Sequence, residues 1–131
     1  MNGEPKIFGR SVRRLEDRAL VSGKGRFLDD LQPSGCLSVA FARSPYAHAS
    51  FTTIDAEAAL AMPGVVAVLT HADLSPLMRD DRLVVGLPSK AITLQVDRPV
   101  LAIDEVVHVG EPVAMIVAES RAAAEDAADV L

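Results

Sequence analysis

The hydrophobic pattern of the first half of the chain predicts short strands separated by turns. Leu37, Val39 and Phe41 alternate with smaller residues, and this period of two predicts a half-buried strand with these three side chains on its apolar face. A second strand is predicted over residues 49–53, after a turn. The two strands are expected to pair as an antiparallel hairpin.

A helix, a strand and a helical turn are predicted next. Asp55 favours a helix start, because its carboxylate can accept hydrogen bonds from the free amides of a first turn. Pro63–Gly64 then predicts the end of that helix. The β-branched run over residues 65–70 predicts a strand covered on both faces. His71 to Leu74 indicates one further helical turn.

The second half of the chain begins with an irregular stretch over residues 75–95. A loop of this length in a compact domain is usually functional or covered by a partner. Three short apolar segments follow, over residues 98–104, 105–110 and 112–119, and each predicts a strand.

Ser120 is expected to cap the last helix, with Ala123, Ala127 and Val130 on its apolar face. The order of these elements predicts an α+β fold with two main helices and mixed strand pairing. Because Ala and Val supply most of the apolar residues, we expect a fine-grained core with close backbone packing.

Composition narrows the class of protein. A chain of 131 residues fits one domain, and its net charge of −5 disfavours nucleic acid as a partner. Basic residues crowd the start, as either a solvated arm or a docking segment for an acidic partner surface. The single cysteine, Cys36, cannot form an internal disulfide, which suits a reducing cytoplasm. We find no apolar run long enough for a signal peptide or a membrane span.

Candidate chemistry is sparse. The segment around Lys24 lacks the spacing of a phosphate loop, and an ordinary turn is the better interpretation. His48, His71 and His108 have no partner at metal-ligand spacing. Neither Cys36 nor Ser44 lies in the sequence context of an activated nucleophile. We therefore predict no catalytic, cofactor-binding or metal-binding residue in this chain.

Two polar residues stand out in the apolar segments near the end of the chain. Glu111 interrupts a pair of apolar segments, where its carboxylate could bond backbone amides or an arginine and anchor a turn. His108, between Val107 and Val109, is expected to point away from the core.

Three segments in order, residues 9–31, 41–74 and 98–128, resemble the N-terminal part of the molybdenum-binding large subunit of one enzyme family. This is the xanthine dehydrogenase, carbon monoxide dehydrogenase and aldehyde oxidase family. The resemblance covers nearly the whole chain, and it is sharpest in ARSPYAHA, from Ala42 to Ala49, and VGEPVA, from Val109 to Ala114.

The resemblance implies an α/β-hammerhead fold with a projecting strand hairpin. It implies a molybdopterin-dependent oxidoreductase whose FAD and 2Fe–2S clusters lie on partner subunits or domains. The molybdopterin contacts and the catalytic glutamate of such enzymes belong to later domains, so no family catalytic residue maps onto this chain. The positions that match the family motifs are interpreted as structural or interdomain residues: Arg43, Ser44, Pro45, His48, Gly110, Glu111 and Pro112.

Arg43 and Glu111 are both flanked by apolar predicted strands, where a charge is costly unless it is paired. We therefore expect the two residues to make buried polar contacts, with each other or with a neighbouring domain. We divide the chain into an N-terminal arm, residues 1–20, and a hammerhead domain, residues 21–131, as a fragment of a much longer chain. The leading hypothesis is a structural domain that is inactive alone and packs against the C-terminal molybdopterin-binding domains. The alternatives are a free-standing binding or assembly module and an independent small enzyme.

Overall fold

The structure, a computed structural model, describes residue 9, residues 11–83, residue 91 and residues 97–131. Its contacts divide the chain into two units, Met1–Gly35 and Cys36–Leu131. The first unit contains a short helix, α1 (Asp17–Val21), and a 3₁₀ turn (Leu28–Asp30). Within residues 11–35 every side chain is exposed or half-buried, so these residues contribute nothing to a buried core.

A three-stranded antiparallel sheet forms the centre of the second unit. Its strands are β1 (Ser38–Arg43), β3 (Val65–Leu69) and β7 (Pro112–Ala118), in the order β1-β7-β3. The apolar β7 pairs with a neighbour on each side and has buried residues at alternate positions. This central place agrees with the apolar run over residues 113–118, which is the longest in the three strands.

Four strands of two residues each form two further antiparallel pairs. β2 (Ala49–Ser50) pairs with β6 (Glu105–Val106), and β4 (Arg82–Leu83) pairs with β5 (Arg98–Pro99). Every strand pairing in the described part of the chain is antiparallel, so the expected mixed pairing is wrong.

The predicted hairpin between residues 36–43 and 49–53 is also wrong. β1 pairs with β7 and β2 with β6, because the chain leaves the sheet at Ser44, whose amide bonds to the Glu111 carbonyl. The strands expected over 98–104 and 105–110 shrink to two residues each. Residues 84–90 and 92–96 of the predicted irregular stretch lie outside the described residues.

The helices of the second unit are α2 (Glu57–Leu60), α3 (His71–Leu74) and α4 (Arg121–Asp129). All three lie where the sequence predicts helical residues. Asp55 Oδ1 accepts from the Glu57 amide at 3.1 Å, and Ser120 Oγ accepts from the Ala123 amide at 3.2 Å. After α2 the backbone turns at Gly64, whose φ of 81° is one that residues with a Cβ rarely adopt.

α3 begins with a capping box. Asp73 Oδ2 accepts hydrogen bonds from the Thr70 amide at 2.8 Å and from the Thr70 hydroxyl at 2.7 Å. These bonds lower the pKa of Asp73 below its ordinary value of 3.8, because they stabilise the charged carboxylate.

The core lies between the sheet and the helices α2 and α4. Small side chains dominate it, which confirms the expected fine-grained core and lets the helices approach the strands closely. Its buried members are Ala42, Ala59, Ala114, Ile116, Ala118, Ala124 and Ala127. The buried face of α4 centres on Ala124 and Ala127, whereas Val130, predicted to face the core, is exposed.

The side-chain alternation of β1 is the reverse of the predicted one. Ala40 and Ala42 point toward the helices, whereas Val39 and Phe41 lie on the opposite face and remain exposed. The helices approach so closely that alanines fill the space beneath them, and the larger residues occupy the other face.

Candidate functional site

The ends of β1 and β7 meet at a polar junction, which we define as residues 43–46 and 107–112. Two backbone hydrogen bonds join its halves: the Ser44 amide donates to the Glu111 carbonyl at 2.9 Å, and the Gly110 amide donates to the Ser44 carbonyl at 2.8 Å. Gly110 has a φ of 84°, so glycine suits this turn. The structure thus brings together the two motifs that carry the sharpest resemblance.

Glu111 is the buried carboxylate of the polar junction, with only 5% of the residue exposed. Its Oε2 accepts a hydrogen bond of 2.6 Å from the Val107 amide. A buried carboxylate needs such a donor, because burial without one would be costly. The expected role of Glu111 as a buried turn anchor is therefore confirmed.

Arg43 does not share that burial within this chain, so the expected buried contact between Arg43 and Glu111 is wrong, while the alternative of a contact with a neighbouring domain stays a prediction. A register shift follows Ala42, and the Arg43 side chain is exposed. Its guanidinium donates to the Gly110 carbonyl at 2.8 Å and lies 5.6 Å from the centre of the Phe41 ring. Arg43 thus supports the backbone beside Glu111, while the Glu111 carboxylate bonds to the Val107 amide.

The Ser44 hydroxyl is used by a local turn. Its Oγ accepts from the Tyr46 amide at 3.0 Å and donates to the Tyr46 carbonyl at 3.3 Å, and Ser44 is buried. This is the hydrogen-bonding pattern of a serine that stabilises its own backbone.

His108 is placed differently from the prediction. Val107 and Val109 are the exposed residues, whereas His108 Nδ1 is buried and lies 3.3 Å from Glu111 Oε2. Burial still alternates here, since Val106 is buried, Val107 exposed, His108 half-buried and Val109 exposed, so the residues that face inward are the opposite of the predicted ones.

The other two histidines lie apart from the polar junction. His48 Nε2 is 3.3 Å from Glu105 Oε2, and both side chains are largely exposed. His71 Nε2 is 3.7 Å from Asp81 Oδ2. Across residues 11–83 and 97–131, no group of three or more His, Cys, Asp or Glu residues could hold a metal ion.

Two cavities border the polar junction. The first, of about 440 Å³, has a mainly apolar lining that includes Ala42, Val106 and Val113. Its charged lining residues already have partners, since Arg43 donates to the Gly110 carbonyl and Asp55 accepts from the Glu57 amide. Each of these charged groups therefore has a hydrogen-bond partner within the fold.

The second cavity, of about 410 Å³, is lined by arginines and carboxylates, among them Arg82, Arg98 and Asp104. Arg82 donates to the Asp97 carbonyl at 3.2 Å. The described lining residues include no Ser, Thr, Cys or His that could serve as a nucleophile.

Sequence reasoning missed the backbone partners of the polar junction. The amide of Val107 and the carbonyl of Gly110 are invisible in a residue pattern. The only signal is that a polar residue precedes proline in both motifs, at Ser44–Pro45 and Glu111–Pro112.

Fold and junction together define a small α+β domain that uses its buried polar groups to close its own turns. Residues 22–131 match the family model described as "Aldehyde oxidase and xanthine dehydrogenase, a/b hammerhead domain". The chain belongs to this family, and the predicted α/β-hammerhead class is confirmed.

Similar proteins include two large subunits. The chain is 44% identical over 126 residues to the nicotine 6-hydroxylase large subunit of Paenarthrobacter nicotinovorans, covering 95% of this chain and 15% of that protein. It is 40% identical over 124 residues to the carbon monoxide dehydrogenase large chain of Afipia carboxidovorans, and this match covers 95% of this chain and 14% of that protein.

A solved structure extends the comparison. Quinoline 2-oxidoreductase from Pseudomonas putida 86 matches with a TM-score of 0.77 and 43% identity, covering 93% of this chain and 15% of that one. The chain therefore spans about 15% of the length of the relatives that it matches. Among the residues that the structure describes, no helix is long and apolar enough to cross a membrane.

Proposed function

We propose that this chain is the structural hammerhead domain of the large subunit of a molybdenum-dependent hydroxylase or dehydrogenase. The observation that carries the proposal is the family match across residues 22–131, in a chain that covers only 15% of a large subunit 44% identical to it. In this role the domain packs against the molybdopterin-binding domains of the same subunit and is inactive when isolated.

The polar junction supports a structural role. Its buried side chains, Ser44 and Glu111, bond to nearby backbone groups. Such bonds fix the turn that joins β1 to β7, which is a requirement of the fold rather than of a reaction.

The donor groups of the chain do not fit the cofactors of the holoenzyme. A 2Fe–2S cluster is typically held by four cysteine thiolates, and this chain contains Cys36 alone. The single thiol of this chain therefore does not suffice to hold such a cluster. We assign molybdopterin to the other domains of the large subunit, and FAD and the 2Fe–2S clusters to partner subunits or domains.

We also propose a cytoplasmic location, because Cys36 is a free and exposed thiol, which suits a reducing compartment. The division into an arm, residues 1–20, and a domain, residues 21–131, remains a proposal. In the structure α1 crosses that boundary, since it runs from Asp17 to Val21.

The intact mass of the natural polypeptide tests this proposal. An antibody against residues 36–131 should recover a polypeptide several times longer than this chain, together with companion subunits. The reading frame should continue past Leu131 for several hundred residues. A natural polypeptide that stops at Leu131 would contradict the proposal and favour a free-standing binding or assembly module.

A further inference from the structure

One face of the central sheet points away from the helices. In the register of the strands, Val39 lies opposite Val117, which lies opposite Ala67; Phe41 lies opposite Met115, which lies opposite Leu69. These six residues form the outer sheet face: Val39, Phe41, Ala67, Leu69, Met115 and Val117.

The outer sheet face is only partly covered. Val39 is 48% exposed and Phe41 is 42% exposed, and the other four residues are half-buried. The core members from α2 and α4, Ala59, Ala124 and Ala127, belong to the opposite face of the sheet. The larger side chains of β1 therefore lie on the face of the sheet opposite the core.

The chemistry of the outer sheet face is uniformly apolar. All six side chains are apolar and uncharged, and the Arg43 guanidinium lies 5.6 Å from the centre of the Phe41 ring at one end. The strand β7 is apolar on both faces, a pattern typical of strands that are covered on both sides. A contiguous exposed apolar patch on a folded protein marks a contact surface.

We propose that the outer sheet face is buried against an apolar surface of the same polypeptide, contributed by the part of the large subunit outside residues 1–131. This inference rests on the proposed function, which supplies the longer chain. A relative 44% identical to this chain is covered over only 15% of its length, so most of such a subunit is available as the occupant. An uncharged face suits a permanent contact, because permanent interfaces are more hydrophobic than transient ones.

Thiol accessibility in the full-length large subunit tests this inference. Val39→Cys places a thiol on the outer sheet face, and Asp126→Cys is the matched control on the exposed side of α4. Both variants also carry Cys36→Ser, because the exposed Cys36 lies three residues from Val39 and would be labelled on the same peptide. Each purified variant is treated with a maleimide, and labelling of the peptide that contains the new cysteine is followed by mass spectrometry. We expect Val39→Cys to react at least about tenfold more slowly than Asp126→Cys, and both to react equally in urea.

Every other outcome overturns the inference. Equal native labelling of the two variants would show that the face is open. Protection that appears only at high protein concentration would assign the face to a second copy. Protection that appears only when companion subunits are bound would assign it to a subunit interface. The intact mass of the natural polypeptide is measured before labelling. A mass that corresponds to only 131 residues would show that the proposed function fails, whereas a longer polypeptide with an open face would overturn this inference alone.

Discussion

Glu111 ties the turn between β6 and β7 through the hydrogen bond from the Val107 amide to its buried carboxylate. Replacing Glu111 with Ala leaves that amide without its partner. We expect Glu111→Ala to lower the free energy of unfolding by about 2 kcal/mol. Glu111→Gln should lower it by less, because an amide oxygen can still accept the bond. Urea unfolding of the two variants measures both values.

Glu105→Ala is the control, because Glu105 is exposed and its side chain pairs with the exposed His48. An exposed ion pair contributes little, so we expect a change within about 0.5 kcal/mol. Equal losses for Glu111→Ala and Glu105→Ala would show that the buried carboxylate does not anchor the turn.

Asp73 links stability to pH. Its pKa is lowered by the hydrogen bonds from Thr70, so its contribution to folding is present above the unfolded value of 3.8 and is lost as the pH falls through the lower folded pKa. We expect Asp73→Ala to lower the melting temperature at pH 7 and to differ less from the parent chain as the pH drops below 3.8. Thermal unfolding at several pH values measures this, and a constant difference down to the acid limit would contradict it.

At this scale the sequence predicts a side chain's role only where that role is local. Ser120 is recognisable as a helix cap and Asp55 as a residue that marks a helix start, because their partners lie two or three residues away. Arg43 and His108 are misjudged because an alternating sequence does not reveal which of its two faces is buried.

At the scale of elements, the close contact between α4 and the sheet depends on alanine. Ala124 is fully buried in the core, whereas Ala122 lies on the exposed side of the same helix. We expect Ala124→Leu to lower the free energy of unfolding by about 1–3 kcal/mol through overpacking. Ala122→Leu should change it by less than about 0.5 kcal/mol. Urea unfolding compares the two, and equal effects would contradict the account of the core.

The elements themselves follow from local sequence more readily than their pairing does. The alternation of larger and smaller side chains in residues 36–43 predicts β1, but it does not reveal which of the two alternating sets faces the helices. Large residues are normally expected inside, and here alanines occupy the core because α4 lies close to β1. β1 and β7 pair although they lie near opposite ends of the domain sequence, so no local turn motif predicts their pairing.

At the scale of the whole molecule, the chain carries the fold of a hammerhead domain and surfaces that its own core leaves open. The α+β class follows from the order of elements, and the family follows from motifs that the fold joins at the polar junction. The antiparallel arrangement of the sheet cannot be predicted from the order of elements, because strand order depends on contacts between residues far apart in the chain.

We propose that this chain is a structural domain of a molybdenum enzyme and that it holds none of the redox centres of that enzyme. Elemental analysis of the purified 131-residue chain beside the full-length large subunit tests this claim most directly. The account predicts molybdenum in the assembled full-length subunit, and neither molybdenum nor iron at stoichiometric level in the 131-residue chain. Stoichiometric molybdenum or iron in the 131-residue chain would contradict it.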